Sequence, residues 1–170
     1  TCIATLANGA NCTIVVRYQP AATGTLSDAI DITFNDGAVA QTSSRGVTGT
    51  GITPALITIS ESDPYDYGLI ASGGASTHTF TLTNSGATPA TGIAESGIAA
   101  PFDYLGGVYP GTGGDCSGTL GAGASCTIVV EFSPGALGAQ TDTIDFAYND
   151  GLTGQTVTRD IQGTSGAPAS

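Results

Sequence analysis

The sequence predicts an all-β protein built of tandem two-sheet sandwiches, the first of them incomplete. Three observations carry this. Residues 2–51 and 116–165 align without a gap at a spacing of 114, with roughly half the positions identical, the self-similarity that marks a repeat array. Apolar and polar residues alternate with period two wherever the chain is not turning, the pattern of half-buried antiparallel strands. Turn residues interrupt these runs about every 8–12 positions, the rhythm of a sandwich. The repeat divides the chain into the back part of one module at 1–52, a complete module at 53–165 and a tail at 166–170. A module of ~110 residues can bury a core of its own.

In chain order, CTIVVRY places Cys12, Ile14, Val16 and Tyr18 on one face, and the next run places Ile30, Ile32 and Phe34 there; Tyr18 is assigned to the core. Asn35-Asp36-Gly37 marks a hairpin, with Gly supplying the positive φ such loops use. The module boundary falls at Gly51-Ile52-Thr53-Pro54, a linker short enough to stack modules end to end. ALITIS then turns Ile57 and Ile59 inward, and THTFTLTNSG turns Phe80 and Leu82 inward against outward Thr79, Thr81 and Thr83, before a turn at Asn84-Ser85-Gly86. β-Branched Thr suits an exposed strand face. CTIVVEF repeats the first copy with Cys126, Ile128, Val130 and Phe132, and Pro134 ends it, having no N–H for a ladder. Ile144, Phe146 and Tyr148 face inward before the turn at Asn149-Asp150-Gly151. In the last strand Val157 and Ile161 share a face with Arg159, as Val47 does with Arg45. An unpaired buried Arg is costly, so a bulge, an edge position or a carboxylate partner is expected there.

Net charge is −11, with no Lys and only Arg17, Arg45 and Arg159. Such a chain repels nucleic acid and is not drawn to an anionic membrane, and no apolar run is long enough to span one; neither nucleic-acid binding nor direct membrane insertion is expected. The four cysteines form two equivalent pairs, Cys2/Cys12 and Cys116/Cys126. Disulfides within each module fit this spacing better than buried free thiols or a metal site, since His78 is the single histidine and zinc wants four soft or imidazole ligands. Each bridge would close a short loop and contribute on the order of 2–3 kcal/mol. It would also place the chain in an oxidising compartment (periplasm, cell surface or medium), and of these an extracellular or cell-surface location is expected.

The order TFTLTNSG, C-x-x-x-L-x-x-G-x-x-C-T-I-V-V-x-F-x-P, a Gly four residues on and a closing G-T-G resembles the immunoglobulin-like modules of bacterial choice-of-anchor D surface proteins. Those are related to the Hydin-like group, which is similar to major sperm protein domains. The carriers here are Thr79 to Gly86, Cys116 to Pro134, Gly138 and Gly163-Thr164. The first copy ends on Gly49-Thr50-Gly51, whereas the second departs with Gly163-Thr164-Ser165. The resemblance covers essentially the whole chain. It implies an immunoglobulin-like sandwich in long, secreted, surface-anchored proteins, and offers no catalytic residues to transfer.

Candidate chemistry is sparse. His78 stands at a strand start without a G-x-S-x-G elbow, so Ser-His-Asp catalysis has no support, and no pair of carboxylates stands in a recognisable glycosidase motif. Calcium would need several loop oxygens. Asp63, Asp66, Asp103 and Asp115 lie in loops of the complete module, but no calcium-loop pattern joins them. No catalytic, cofactor or metal residues are therefore assigned. Asn11-Cys12-Thr13 matches a glycosylation sequon, and its place beside a disulfide is sufficient explanation. The strongest ligand signal is Tyr65 and Tyr67 in ESDPYDYG with Tyr104 and Tyr109 in FDYLGGVYPGTGGD, because Tyr offers a sugar or protein an apolar face and a polar tip. The alternative is that these rings plug the ends of the sandwich core or fill a module–module junction.

The expected function is structural and non-enzymatic: a disulfide-stapled stalk or filament repeat of an extracellular bacterial protein, its partners neighbouring repeats of the same or identical chains. The alternative is an adhesin module whose Tyr-bearing loops bind a glycan or host surface protein. Residues 1–52 alone would expose apolar side chains and open sheet edges. The favoured explanation is a segment cut from a longer repeat protein. The others are a frame along a continuous homopolymer and strands donated by a neighbouring subunit.

Overall fold

The computed structural model describes Cys2 and residues 5–168, and eleven strands account for its regular structure. The chain divides into two compact units, Thr1–Ile52 and Thr53–Ser170. No helix among the described residues is long and apolar enough to cross a membrane.

The first unit holds one long hairpin, β1 (Gly24–Asn35) with β2 (Ala40–Gly51), paired antiparallel over its full length from Gly24↔Gly51 to Asn35↔Ala40. The second unit is a two-sheet sandwich. Its strands are β3 (Ile57–Ile59), β4 (Tyr65–Ala71), β5 (Ser76–Asn84), β6 (Ala90–Glu95), β7 (Phe102–Tyr104), β8 (Thr119–Leu120), β9 (Ser125–Phe132), β10 (Gly138–Asn149) and β11 (Gly154–Gly166). One sheet runs β4-β11-β10-β6-β8 and the other β3-β5-β9-β7. All pairings are antiparallel except that of β4 with β11. The hairpin β10–β11 runs from Gly138↔Ser165 to Asn149↔Gly154, so each of its pairs lies 114 residues beyond its counterpart in β1–β2. β11 extends one residue past the expected module end, because Gly166 pairs with Ala71; of the expected tail, residues 169–170 lie outside the described residues.

Alternation becomes burial in the second unit. Ile57, Ile59, Phe80, Leu82, Ile128, Val130 and Phe132 of one sheet face Ile144, Phe146, Tyr148 and Ile161 of the other, and all are buried. Phe102 stacks on Phe132 with ring centroids 4.7 Å apart, an offset geometry that aromatic pairs favour. Gly163 lies under Phe132, where an added Cβ would come within 2.5 Å of the ring. Val129, on the outward parity, is buried as well: its N–H donates to Pro110 O and its carbonyl accepts from Leu105 N–H, so the 105–114 loop covers it.

The first unit departs from expectation. Cys12–Tyr18 forms no strand although its letters nearly match those of β9. Its expected core residues are exposed: Ile14 by 47%, Val16 by 54% and Tyr18 by 49%, with Ile32 and Phe34 also exposed and Ile30 half-buried. The reason is pairing. β9 is a strand because β5 flanks it on one side and β7 on the other, and Thr1–Ile52 contains neither neighbour. Tyr18 is therefore not a core residue, yet its ring still covers Gly49 as that of Phe132 covers Gly163.

The two Asn-Asp-Gly turns form hairpin loops of one design. Asn149 Oδ1 accepts from Gly151 N–H, Asp150 Oδ1 accepts from Leu152 and Thr153 N–H, and Gln155 donates to Asp150 Oδ2. Asn35, Asp36 and Gln41 make the same bonds in the first unit. These donors hold the Asp36 and Asp150 carboxyls below the ordinary value of 3.8.

Candidate functional site

Polar and aromatic groups gather where β4 closes against β5 in the second unit. Tyr65 projects from the start of β4 and His78 from β5; their rings stack 4.0 Å apart, and Tyr65 OH shares a 2.8 Å hydrogen bond with His78 Nδ1. On the other side of the imidazole, Nε2 lies 3.5 Å from Glu61 Oε1. Glu61 sits in the β3–β4 connection at a φ of 76°. Phe80 meets both rings edge-on, at 5.2 Å from Tyr65 and 4.8 Å from His78. Burial, then the charges of Glu61 and Asp66, push the Tyr65 hydroxyl above its ordinary value of 10.0.

Arg159 completes this edge. Its Nη2 donates to Ile59 O at 2.7 Å, its Nη1 lies 3.8 Å from Asp63 Oδ2, and Asp63 Oδ1 accepts from Asp160 N–H. A carboxylate partner and a backbone carbonyl thus offset the cost of the inward parity foreseen for Arg159. Together these contacts pin the β3–β4 connection to β11, next to the edge strand β4.

The four tyrosines singled out as ligand contacts do not share a surface. Tyr67 and Tyr104 are buried in the core; Tyr67 lies against Phe102 and Phe132 and donates to Val130 O at 3.0 Å. Desolvation raises both hydroxyls far above their ordinary range. Tyr109 is half-buried, edge-on to Tyr104 at 5.4 Å and tilted against Phe146 at 5.7 Å. Tyr65 faces His78. Of the two readings, ligand surface and core plug, Tyr67 and Tyr104 follow the plug: Asp and Gly around them supply the turns while the ring packs inward, with Tyr65 and Tyr109 partly buried against the same core.

The acids are likewise engaged locally. Asp66 accepts from Gly68 N–H and Gln162, Asp103 from Tyr104 N–H, and Asp115 from both the N–H and hydroxyl of Thr127. The Thr127 bonds hold the Asp115 carboxyl below 3.8. Among the described residues no three His, Cys, Asp or Glu side chains converge as metal ligands. The cysteines are bonded as Cys2–Cys12 and Cys116–Cys126, with none free. The second bridge is buried and ties the loop before β8 to the start of β9.

Sequence reasoning missed Asn84. Its side chain is fully buried at the end of β5. Oδ1 accepts from Leu56 and Gly86 N–H, and Nδ2 donates to Thr88, Leu120 and Gly121 O. The turn motif marks the position, but nothing local reveals that one amide joins three separate segments.

The sequence profile of the HYDIN/CFA65/VesB-like Ig-like domain family matches residues 58–164. No curated protein matches the chain. Among solved structures, the VesB protease of Vibrio cholerae is similar at 21% identity and a TM-score of 0.51, over 64% of this chain and 31% of that one. The ASH/PapD-like domain 7 of human CEP192 matches at 17% identity and 0.47, over 66% of this chain and 87% of that domain. A Porphyromonas gingivalis W83 protein of unknown function matches at 12% and 0.49, over 86% and 68%. The chain thus spans about a third of VesB, and at these identities the likeness concerns the fold. With the profile covering most of the residues and the two-sheet order in place, the chain belongs to the HYDIN/CFA65/VesB-like Ig-like domain family.

Proposed function

We propose that the protein is a structural, non-enzymatic repeat of an extracellular bacterial surface protein of the choice-of-anchor D kind, serving as a stalk or filament segment. The observation that carries this reading is where the chain enters and leaves the second unit. Ala55 N–H donates to Asp150 O, and Thr88 donates to Thr53 O, so entry lies beside the β10–β11 turn. Exit follows Gly166, at the far end of β11. Thirteen residues of strand put these points about 40 Å apart at ~3.3 Å per residue. A unit with ends at opposite poles, preceded at a spacing of 114 by an equivalent hairpin of the same register, is suited to linear propagation.

Two further observations support it. Both cysteine pairs are oxidised, in keeping with an oxidising compartment. Every cysteine is bonded, so the reading rests on two bridges and no free thiol. Burial of Tyr67 and Tyr104 leaves only the half-buried Tyr65 and Tyr109 to support the adhesin alternative.

The test is small-angle scattering on linked copies of Thr53–Gly166. Maximum dimension should grow by about 40 Å per added copy. Growth toward a compact globule would sink the stalk reading. Antibody labelling of intact cells, expected positive, tests the location separately.

A further inference from the structure

One tight turn occurs in both units. Ala10 N–H donates to Ala7 O at 3.0 Å and Ala124 N–H donates to Gly121 O at 3.1 Å, the two bonds lying 114 residues apart. Gly9 and Gly123 occupy the same place in it at φ of 72° and 67°, a conformation that glycine adopts without steric cost. Each turn lies inside the loop that a disulfide closes, Cys2–Cys12 or Cys116–Cys126. Asn8 and Gly9 are exposed, and so are Ala122 and Gly123 on the complete sandwich, so exposure is a property of the turn itself. The copies differ in chemistry: Asn8 stands where the second unit has Ala122.

We propose that Asn8-Gly9 is a self-modifying site, where the side-chain amide is exchanged for the oxygen of water and lost as ammonia. The Gly9 backbone nitrogen gives up its proton and attacks Asn8 Cγ. A C–N bond forms, the Cγ–Nδ2 bond breaks, and ammonia departs with that proton, leaving a cyclic imide. Water then adds at either imide carbonyl and breaks one C–N bond, which yields an aspartyl or an isoaspartyl linkage. Position 8 gains one negative charge in either product, and the isoaspartyl form also routes the main chain through the side-chain carbon. Two features of the turn permit the attack. Gly9 N–H has no hydrogen-bond partner among the described residues. Nothing lies within 4 Å of the place a Cβ on Gly9 would occupy, so the nitrogen is unscreened and ring closure is unhindered.

The fold keeps the comparable bonds quiet. Asp36-Gly37 and Asp150-Gly151 could reach the same imide by losing water. There Gly37 and Gly151 N–H donate to Asn35 and Asn149 Oδ1, and the Asp carboxyls accept from the next backbone N–H groups. These bonds hold the proton on the nitrogen and favour the charged carboxylate, which is a poor electrophile. Asn84 is buried with its amide fully engaged, and Ser85 N–H, the nitrogen that would attack it, donates to Leu56 O. Asn11, Asn35 and Asn149 precede Cys12, Asp36 and Asp150, whose Cβ atoms crowd ring closure. The proposal does not depend on the stalk reading.

The test is to hold the intact folded chain at mildly alkaline pH, label isoaspartyl groups with a protein-isoaspartate methyltransferase and a radioactive methyl donor, then denature and digest with trypsin. With no Lys, cleavage at Arg17 and Arg45 isolates Asn8 in the fragment Thr1–Arg17. Label should appear in that fragment, with release of ammonia and one added negative charge on isoelectric focusing. It should be lost in Asn8→Gln and kept in Asn11→Gln. Incubation in urea should spread label into Tyr18–Arg45 and Gly46–Arg159, which contain the two Asp-Gly steps, because the bonds that quiet them are gone. A folded chain unlabelled in Thr1–Arg17, or labelled equally in all three fragments, would overturn the proposal. Neither result bears on the stalk reading, which is tested by scattering on the second unit alone.

Discussion

At the scale of single residues, the second unit is most sensitive where one side chain serves several segments. Asn84 closes five hydrogen bonds to backbone groups of the β3 entry, its own turn and the β8 region. Asn84→Ala leaves buried donors and acceptors unmatched and should cost about 2–4 kcal/mol, each such group being worth ~1–3; urea denaturation of the second unit measures it. Gly163→Ala forces a methyl into the Phe132 ring. Over-packing of this kind costs roughly 1–3 kcal/mol, and Phe132→Leu in the same molecule should restore part of it. Gly49→Ala meets Tyr18 in the same way, but Tyr18 is half exposed and its ring has solvent to turn into, so its effect on the full chain should be smaller.

At the scale of elements, the two hairpin loops behave as one device used twice. The folded carboxyls of Asp36 and Asp150 lie below 3.8 because backbone N–H groups bond their charged forms. A lowered folded value means that the stabilisation is complete above the ordinary carboxylate value and is lost as pH falls through 3.8 toward the folded values. Melting temperature should therefore fall across that acidic window, and Asp150→Asn should flatten the dependence while lowering the plateau. Asp115, bonded to Thr127, adds to the same trend. Breaking Cys116–Cys126, by reduction or by a double Ala substitution, should remove about 2–3 kcal/mol from the second unit, the loop-closure contribution of a short bridge.

Elements also separate what the sequence reveals from what it hides. Ile128, Val130 and Phe132 were legible as core because alternation is local. The near-identical Ile14, Val16 and Tyr18 misled, because a strand is a relation between segments and their partners are not in Thr1–Ile52. Val129 was assigned outward by parity and is buried by a loop more than fifteen residues upstream, a contact with no local signature. Arg159 showed the reverse: its parity announced a need for partners, and Asp63 and Ile59 O meet it. The tyrosines left two readings open, ligand contact and core plug, because turn residues around a ring say where the chain bends and not which way the ring points.

At the scale of the molecule, the two units should differ sharply in hydrogen exchange. Amides of β9 sit in ladders on both sides and belong to the slowest class, whereas those of residues 12–18 have no ladder and should exchange within the dead time of a mixing experiment. Comparable protection in the two stretches would contradict the structure.

The parallel pairing of β4 with β11 has a consequence for a chain pulled from both ends. β4 is the second strand after the entry and β11 the last before the exit, and they run side by side in the same direction through Ile161↔Tyr65 to Gly166↔Ala71. Tension applied at the termini draws these two strands past each other along their own axes. The ladder is then loaded in shear, with its hydrogen bonds sharing the force, rather than peeled one bond at a time. The second unit should accordingly resist extension and give way in one abrupt step in a single-molecule pulling trace, and Leu69→Pro, which places a proline in β4, should lower the force of that step.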